Sequence, residues 1–511
     1  MDDSATRKDV KSNRSILQTV VINPVNLKCS SLPILTLNNQ YSRNFHLSWL
    51  GFFVAFLSWF AFSPLIPDAI SGDLHLTSQQ IGNSNVISLC ATLVVRLIVG
   101  PLVDKYGPRK AMATLLIIGA IPSGLAGTIT DAQGLYIVRF FIGILGATFV
   151  TCQAWTTAFF DKNVVGTANA LAGGWGNSGG GFTFIIMIAL FNRLLADGLS
   201  IHVAWRAAFA IVPVPVLLFV AVLTLLVGTD HPAGRWSDRH KISRANIDPN
   251  SDDEFQNVKE QMKAEVDVEK KPDEEESAVG VTVAPVDSEQ DPKINSELDI
   301  AVNKPLTVDI VSSVVTNPLT WLPALAYMTT FGFELCMDAN LANVLYSLYK
   351  SPTFGQTKAG YIAGIYGLLN VVMRPLGGFL GDRMYLRFGV TGKKYLMLAC
   401  GLFQGLISLG LGLYMDSQEH PSLIVIVVMF VIIAAFGEAG NGANFSLVPH
   451  CNPHSNGFMS GIVGATGNLG GVLFAMIFRL QPSPSGKAFW ISGILTIVIN
   501  LLLVPIRVPF M

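Results

Sequence analysis

The chain has 511 residues, of which 51% are hydrophobic and only 14% are charged. Its mean hydropathy is +0.48, whereas a soluble globular protein carries about 25% charged residues. A net charge of −1 excludes a chain-wide basic surface for nucleic acid. The six cysteines are dispersed, and no Cys/His spacing suits zinc. We therefore predict an all-α polytopic membrane protein, embedded in the lipid bilayer, with no metal, no cofactor and no nucleic-acid partner.

The N-terminal 44 residues are polar or mixed and show no basic segment followed by a short apolar core, so no cleavable signal peptide is expected. A membrane-spanning helix needs about 20 mostly apolar residues. Twelve such spans are predicted, numbered 1 to 12 in chain order: 45–66, 80–103, 110–130, 134–160, 164–194, 204–228, 318–347, 358–381, 392–415, 422–447, 456–479 and 487–508.

An acidic, polar segment separates spans 6 and 7, and its composition cannot bury enough apolar surface to fold alone. We predict a largely disordered central loop, with a short helix near 254–270. The loop suits kinase and ubiquitin-ligase contacts, and an unregulated spacer is the alternative interpretation. The predicted divisions are a tail at 1–44, a six-helix bundle at 45–228, the loop at 229–304 and a second six-helix bundle at 305–511.

Basic residues favour one side of the membrane, which predicts a cytoplasmic location for both termini. The opposite side also carries basic residues, so the bias is moderate. The predicted cytoplasmic set is Arg7, Lys8, Lys11, Arg14, Lys105, Arg109, Lys110, Arg383, Arg387, Lys393 and Lys394; the opposite set is Arg193, Lys350, Lys358 and Lys487.

Spans 2 and 8 repeat one pattern, in which an arginine precedes an aspartate by eight residues: Arg96 with Asp104, and Arg374 with Asp382. A rise of eight helical residues is about 12 Å, and half of the hydrocarbon core is about 15 Å. Both arginines are therefore predicted close to the membrane midplane, where a charge faces a cavity or a partner. They either clamp a small anion between the halves or pair with carboxylates, for which Glu334 and Glu438 are the candidates.

Spans 5 and 11 repeat a second pattern, Gly-Asn-x-Gly-Gly, which begins at Gly176 and at Gly467. Small residues at this spacing permit close helix packing, so packing alone is an equal interpretation for the glycines. Asn177 and Asn468 occupy matching places in the two halves. Their amides are predicted to donate to an anion or to orient its arginine.

The paired motifs and arginines resemble the nitrate/nitrite porter family of the major facilitator superfamily, including its fungal members with a long central loop. Ser178 departs from the family, where a larger residue is common. The resemblance implies a two-bundle fold and nitrate bound by Arg96 and Arg374. Tyr327 matches a span 7 tyrosine that touches the anion, and Phe149 matches a phenylalanine that packs against it; without the resemblance, packing is the better interpretation of both aromatics.

The loop after span 2 resembles the signature of the superfamily, which implies a cytoplasmic gate motif with a looser copy after span 8. The gate residues are Gly100, Asp104, Arg109, Asp382 and Arg383. Arg139 in span 4 resembles another superfamily motif. We interpret Arg139 as structural or as a proton-coupling candidate beside Glu334 and Glu438.

We therefore predict high-affinity import of nitrate, and secondarily nitrite, across the plasma membrane by alternating access, with protons as the coupling ion. The alternatives are a nitrate/nitrite exchanger, a transporter of another small anion, and a nitrate sensor. An enzyme is not expected, because the sequence contains no set of a nucleophile with a base and no cofactor motif.

Overall fold

The computed structural model describes most of the chain as helix. The described residues are 19–23, 26–161, 164–238, 281–283, 307–451, 456–481 and 485–508. The predicted helix near 254–270 lies outside them, as do residues 1–18 and most of the predicted central loop. Two short parallel strands, β1 and β2, pair the described ends of the tail with the described part of that loop: Val20–Ile22 and Val281–Val283.

The first half contains α-helices at Gln40–Trp59, Ser71–Asp73, Ser78–Tyr106, Pro108–Gly124, Ala132–Ile142, Thr148–Phe159, Val165–Asn177, Gly179–Ala196, Ile201–Ile211 and Pro213–Val227. A π-helix lies at Ile66–Ile70, and 3-10 helices at Leu125–Thr128, Gly143–Ala147 and Trp236–Asp238. The second half contains α-helices at Val308–Thr316, Pro318–Tyr349, Gln356–Leu368, Asn370–Ser417, Leu423–Cys451, Asn456–Leu480 and Ser485–Leu503.

Among the described residues, nine helical segments are long and apolar enough to cross a membrane. One of them, Gln356–Ser417, has 62 residues and covers spans 8 and 9. A single crossing needs only about 20 residues, so this segment is long enough for two crossings. The helices Gln40–Trp59 and Pro318–Tyr349 overlap predicted spans 1 and 7. Together these segments make twelve crossings in two halves of six, and the predicted all-α fold class is confirmed.

Local sequence signals explain several helix boundaries. Thr77 and Gln80 form a reciprocal capping box at the start of span 2. Pro108 fills the first turn of span 3, directly after Gly107, whose φ of 92° favours glycine. Spans 8 and 9 form one helical run that changes direction at Gly389, where φ is 62°. The predicted loop between these two spans is therefore a kink rather than a coil.

The helices end at two membrane sides, which we call the tail face, near Asp104, and the far face, near Asp73. Part of the predicted tail packs against the tail face. The Cys29 amide donates to the Phe159 carbonyl at 2.9 Å, and the Asp161 amide donates to the Cys29 carbonyl at 2.9 Å. The residues before span 1 thus close over the ends of spans 4 and 5.

The halves meet through two equivalent pairs, span 2 with span 11 and span 8 with span 5. A methyl group at Gly100 would lie 2.9 Å from the Gly457 carbonyl oxygen, and one at Gly378 would lie 2.8 Å from that of Gly166. Each glycine follows its span's arginine by four residues, so the repeat sets a close backbone crossing beside each arginine.

Candidate functional site

A stack of three aromatic rings lies at the centre of the interface. Tyr327 and Phe331 of span 7 are four residues apart and share a helix face, with ring planes 8° apart and centroids separated by 4.6 Å. Phe149 of span 4 lies nearly parallel to both, at a centroid distance of 5.9 Å from each. All three side chains are buried, so the stack forms one apolar wall of the site.

Arg96 approaches this wall from the first half. Its guanidinium carbon lies 4.9 Å from the centroid of Phe149 and 5.1 Å from that of Phe331. Its Nε donates to the Gly146 carbonyl and its Nη1 to the Gly464 carbonyl, each at 2.9 Å. Because Gly464 belongs to span 11, Arg96 already binds the opposite half.

Arg374 approaches the same two rings from the second half. Its guanidinium carbon lies 5.5 Å from the centroid of Phe149 and 5.7 Å from that of Phe331. Its Nη2 donates to the Tyr327 hydroxyl at 2.7 Å. The two predicted arginines are therefore brought together, one from each half, beside the same aromatic rings.

Three guanidinium nitrogens at this centre are buried without a hydrogen-bond partner among the described residues: Nη2 of Arg96, and Nε and Nη1 of Arg374. Neither arginine forms an ion pair with a carboxylate in that part of the chain. An unsatisfied buried donor costs about 1–3 kcal/mol. The arrangement thus suits a small anion that accepts hydrogen bonds from both sides, rather than the predicted alternative of carboxylate pairing.

The glycine three residues before each repeat motif packs on the arginine of the opposite half. A methyl group at Gly464 would lie 3.2 Å from Cδ of Arg96, and one at Gly173 would lie 3.2 Å from Nε of Arg374. Asn468 donates to the Gly464 carbonyl at 3.1 Å, the same oxygen that accepts from Arg96. Asn468 thus contacts the site through a shared acceptor and not by binding the arginine itself.

The predicted site glycines, Gly176 and Gly467, face aromatic rings instead of the arginines. A methyl group at Gly176 would overlap the ring of Phe52, and one at Gly467 would lie 2.7 Å from the ring of Tyr327. Both glycines therefore act as packing positions in this conformation, and only Gly467 adjoins a ring of the central stack.

Asn177 donates to Glu334 and not to an arginine. Asn370 of span 8 donates to the same carboxylate oxygen at 2.7 Å, and Asn441 of span 10 donates to the other oxygen at 2.7 Å. Three amides from three helices thus surround one buried carboxylate. The sequence analysis identified Glu334 and Asn177 separately but did not predict that they bind each other.

Glu438 adjoins this group, because Asn441 also contacts its Oε2 at 3.4 Å. Its Oε1 has no partner among the described residues, and neither does Oδ2 of Asp338. Asp338 lies on span 7, one helical turn after Glu334, and is 3% exposed. Asp338 was not assigned from the sequence, although its spacing of four residues from Glu334 predicts a shared helix face.

Arg139 lies apart from these acids, near the far face. Its Nη1 donates to Ser84 Oγ at 2.6 Å and to Asn85 Oδ1 at 2.7 Å. The amide of Asn85 in turn donates to the Ala339 carbonyl at 3.2 Å and to Asn340 Oδ1 at 3.0 Å. Arg139 thus orients an asparagine that joins spans 2 and 7 across the two halves.

The two gate aspartates contact helix starts in the opposite halves. Asp104 accepts from the amides of Gly457 and Phe458 at 3.2 and 3.0 Å, at the start of span 11. Asp382 accepts from the amide and the hydroxyl of Thr167 at 2.7 Å each, at the start of span 5. A negative charge is favourable at a helix N-terminus, so both contacts hold the tail face closed.

The predicted basic partners of the gate behave differently from each other. Lys393, and not the exposed Arg383, forms the ion pair with Asp382, at 2.9 Å. Arg109 pairs with Asp230 at 3.4 Å, within its own half. Arg109 therefore anchors the loop after span 2 instead of bridging the halves.

Two further residues of the site, Phe331 and Asn370, were not assigned from the sequence. Phe331 follows Tyr327 by four residues, and Asn370 precedes Arg374 by four. Helical spacing from an assigned residue could thus have pointed to both residues. Such spacing shows which residues share a helix face, but it does not show which residues of two helices meet across the interface.

The chain matches the Major Facilitator Superfamily over residues 48–475. It is 32% identical to the high affinity nitrate transporter 2.5 of Arabidopsis thaliana over 451 residues, which cover 88% of this chain and 76% of that protein. It is 28% identical to nitrate transporter 2.2 of Chlamydomonas reinhardtii over 476 residues, which cover 93% of this chain and 77% of that protein.

Among solved structures, the crystal structure of the human organic anion transporter MFSD10 (TETRAN) superposes with a TM-score of 0.53. The superposition covers 91% of this chain and 100% of that chain, at 14% sequence identity. At this identity the likeness shows the fold alone.

Proposed function

The chain belongs to the major facilitator superfamily and, within it, to the nitrate/nitrite porter family, whose members are transporters rather than enzymes. On that premise we propose that it imports nitrate together with protons. The observation that carries this proposal is the buried pair Arg96 and Arg374 with its three unpartnered nitrogens. The names of the two nitrate-transporting relatives support the choice of anion, and nitrite is proposed as a second substrate.

Nitrate is planar and only accepts hydrogen bonds. A guanidinium is a planar fork of donors that stays charged, and it matches planar oxyanions better than an ammonium does. The ring of Phe149 lies beside both guanidinium groups. Its apolar face excludes water from the anion and strengthens the charge interaction by lowering the local dielectric.

The charges couple binding to closure. Two guanidinium charges that approach each other without an anion repel, and a bound monoanion reduces that repulsion. The anion therefore binds the closed state more favourably than the open states, which is the differential affinity that a ligand-driven conformational change requires. The halves are proposed to rock around this centre in alternating access.

Protons are needed because nitrate enters against the membrane potential. One charge moved across 100 mV corresponds to about 2.3 kcal/mol, so one proton only cancels the electrical cost. We propose more than one proton per nitrate. Asn441 joins Glu438 to Glu334, and Glu438 is the proposed carrier of one of these protons.

The proposed orientation of the protein in the membrane follows from the distribution of its basic residues. The tail face is cytoplasmic, the membrane is the plasma membrane, and two bundles at 45–228 and 305–511 flank a cytoplasmic loop at 229–304. Kinases and ubiquitin ligases are the proposed partners of that loop. Deletion of 239–280, which keeps the described contacts of Asp230 and Trp236, would change uptake without changing turnover number if the loop sets protein abundance.

The proposal is tested by nitrate binding to the purified protein and by uptake in proteoliposomes. Arg96→Lys and Arg374→Lys should each weaken binding roughly tenfold or more, because a charge-assisted hydrogen bond is worth about 1.5–3 kcal/mol. Arg193→Lys is the matched control, since that side chain is 74% exposed and, in the described part of the chain, forms its ion pair with Asp197 on the same helix.

Each other outcome points to a named alternative. If both lysine variants bind nitrate with the wild-type affinity, the anion binds elsewhere. Binding without uptake would indicate a sensor, and uptake that requires nitrite on the opposite side would indicate an exchanger.

A further inference from the structure

Asp338 is a buried carboxylate that the proposed function has not used. It lies on span 7, is 3% exposed, and its Oδ2 has no hydrogen-bond partner in the described part of the chain. Span 5 approaches this oxygen at a glycine: a methyl group at Gly180 would lie 3.4 Å from Oδ2. An ionised carboxylate in such surroundings is costly, because nothing replaces its lost hydration.

Glu334, one turn away, has the opposite surroundings. Its carboxylate accepts hydrogen bonds from three amides, those of Asn177, Asn370 and Asn441. Donors that bind the charged form favour it. The geometry therefore separates the two acids: the surroundings favour the carboxylate form of Glu334 more than that of Asp338, which lacks such donors and is stabilised inside the closed protein by a proton.

Asp338 also occupies the place where the far face closes. The next two residues, Ala339 and Asn340, receive the amide of Asn85 from the other half. Span 7 runs from the tail face to the far face, so Asp338 lies about 6 Å nearer the far face than Glu334. When the halves separate there, Asp338 meets the external medium before Glu334 does.

Asp338, Glu334 and Glu438 form an acidic cluster, and a tyrosine hydroxyl is a further unpartnered buried group beside it. Tyr366 of span 8 is 3% exposed and its hydroxyl has no partner among the described residues. A methyl group at Gly437, next to Glu438, would lie 3.9 Å from that hydroxyl. The charged and titratable groups that surround the cluster are Arg96 of span 2, Tyr327, Glu334 and Cys336 of span 7, Tyr366 and Arg374 of span 8, and Glu438 of span 10.

We propose that Asp338 binds one of the transported protons, taken from the far face, while Glu334 remains an ionised anchor beside Arg374. This inference rests on the proposed nitrate–proton symport. In the step itself, an O–H bond forms on the Asp338 carboxylate when the far face is open, and the proton crosses with the closed protein. The bond breaks on the tail side, where the proton leaves to water, so no other reactant is consumed.

The test uses the full-length protein in proteoliposomes and two assays. Counterflow measures the exchange of labelled nitrate at equal pH without a potential. Potential-driven uptake measures net entry at equal pH with a negative interior. Asp338→Asn should retain counterflow and lose potential-driven uptake, because a symporter of two protons that loses one becomes electroneutral. Asp338→Glu, which keeps a carboxyl group, should retain both activities.

Asp68→Asn is the matched control, since Asp68 is an exposed carboxylate at the far face, and it should retain both activities. Potential-driven uptake by Asp338→Asn at the wild-type rate would overturn the proposal, because the proton would then bind elsewhere. Loss of counterflow in Asp338→Asn would also overturn it, by giving Asp338 a structural role. Absence of counterflow in the wild type would instead refute the proposed function itself.

Discussion

The hydroxyl of Tyr327 accepts a hydrogen bond from Arg374 at 2.7 Å and so fixes the direction of that guanidinium. Tyr327→Phe removes this acceptor and keeps the stacked ring. We expect KM for nitrate to rise about tenfold, because hydrogen bonds to charged groups are worth about 1.5–3 kcal/mol. Tyr349→Phe, which loses a bond to the Pro421 carbonyl near the far face, is the control in uptake kinetics. An unchanged KM would exclude Tyr327 from the site.

A substitution at Gly464 tests whether nitrate binding depends on the exact position of the Arg96 guanidinium. A methyl group there would lie 3.2 Å from Cδ and 3.3 Å from Nη1 of Arg96, so Gly464→Ala must displace the guanidinium by a few tenths of an ångström. We expect nitrate affinity to fall several-fold while the protein remains folded. Gly127→Ala, which meets no atom within 4 Å, should bind nitrate normally. Equal binding by the two variants would contradict the assigned role of Arg96.

The repeated pattern in spans 2 and 8 was sufficient to identify Arg96 and Arg374 from the sequence, because each arginine marks its own place by its distance from an aspartate. Partners across the interface were not predictable in this way. Asn177 and Glu334 are 157 residues apart, and their contact depends on how the two bundles dock. Asp338 was missed although Glu334 of the same span was assigned, because the apolar length that predicts a span does not show which of its acids lack partners.

At the scale of elements, the starts of spans 5 and 11 are held by aspartates of the opposite half. Asp382→Asn weakens one of these contacts and removes the charge that pairs with Lys393, whose side chain is fully buried. Breaking a buried ion pair costs about 3–5 kcal/mol, so the tail face should open more often. We expect faster alkylation of the buried Cys451 near this gate. Asp416→Asn, at the far face, should leave the rate unchanged, and an unchanged rate in Asp382→Asn would contradict the gate.

A second network joins the loop after span 1 to span 6 at the far face. Burial acts to raise the pKa of Asp73, but hydrogen bonds from Arg206, Trp205 and His202 hold it below its ordinary value. The stabilisation is therefore complete above the unfolded pKa of about 3.9 and is lost as the pH falls through the lower folded value. Asp73→Asn should lower Tm at pH 7, and the difference should shrink below about pH 4. The exposed Asp68 provides the control variant, and a pH-independent difference would contradict this reading.

Helix positions followed from apolar length, and the deviations have local causes. The first span ends at Trp59, and the chain continues through a π-helix at Ile66–Ile70, because Pro64 and Pro67 disfavour a regular helix there. The helix Val308–Thr316 before span 7 was not predicted, since it is amphipathic and too short to span. Apolar composition predicts which segments lie in the membrane, but it does not predict how the helices continue beyond the membrane into the loops.

At the scale of the whole molecule, both faces are closed around the central site. At the far face, Gln356 accepts from the amides of Asp68 and Ala69 at 2.8 and 2.9 Å, and Asn85 binds span 7. At the tail face, Asp104 and Asp382 bind the opposite halves. The described conformation is therefore closed at both faces, and the proposed alternating access would require each set of contacts to break in turn.

The arrangement of two bundles was predictable from the internal repeat, because the repeated motifs show which spans of the two halves correspond. The occluded docking was not, since it depends on contacts between residues that are hundreds of positions apart. We propose that the Phe149, Tyr327 and Phe331 rings together limit the size of the closed site and so contribute to the choice of nitrate over other small anions.

The central claim, that nitrate enters with more than one proton through the site between Arg96 and Arg374, is tested most directly by voltage clamp. Nitrate is applied to a cell expressing this chain at acidic external pH. At a nitrate concentration near the wild-type KM, we expect an inward current despite the entry of an anion; Arg96→Lys and Arg374→Lys should each reduce it strongly, and Arg193→Lys should retain it. An outward current, or an inward current that survives both lysine substitutions, would contradict the central claim.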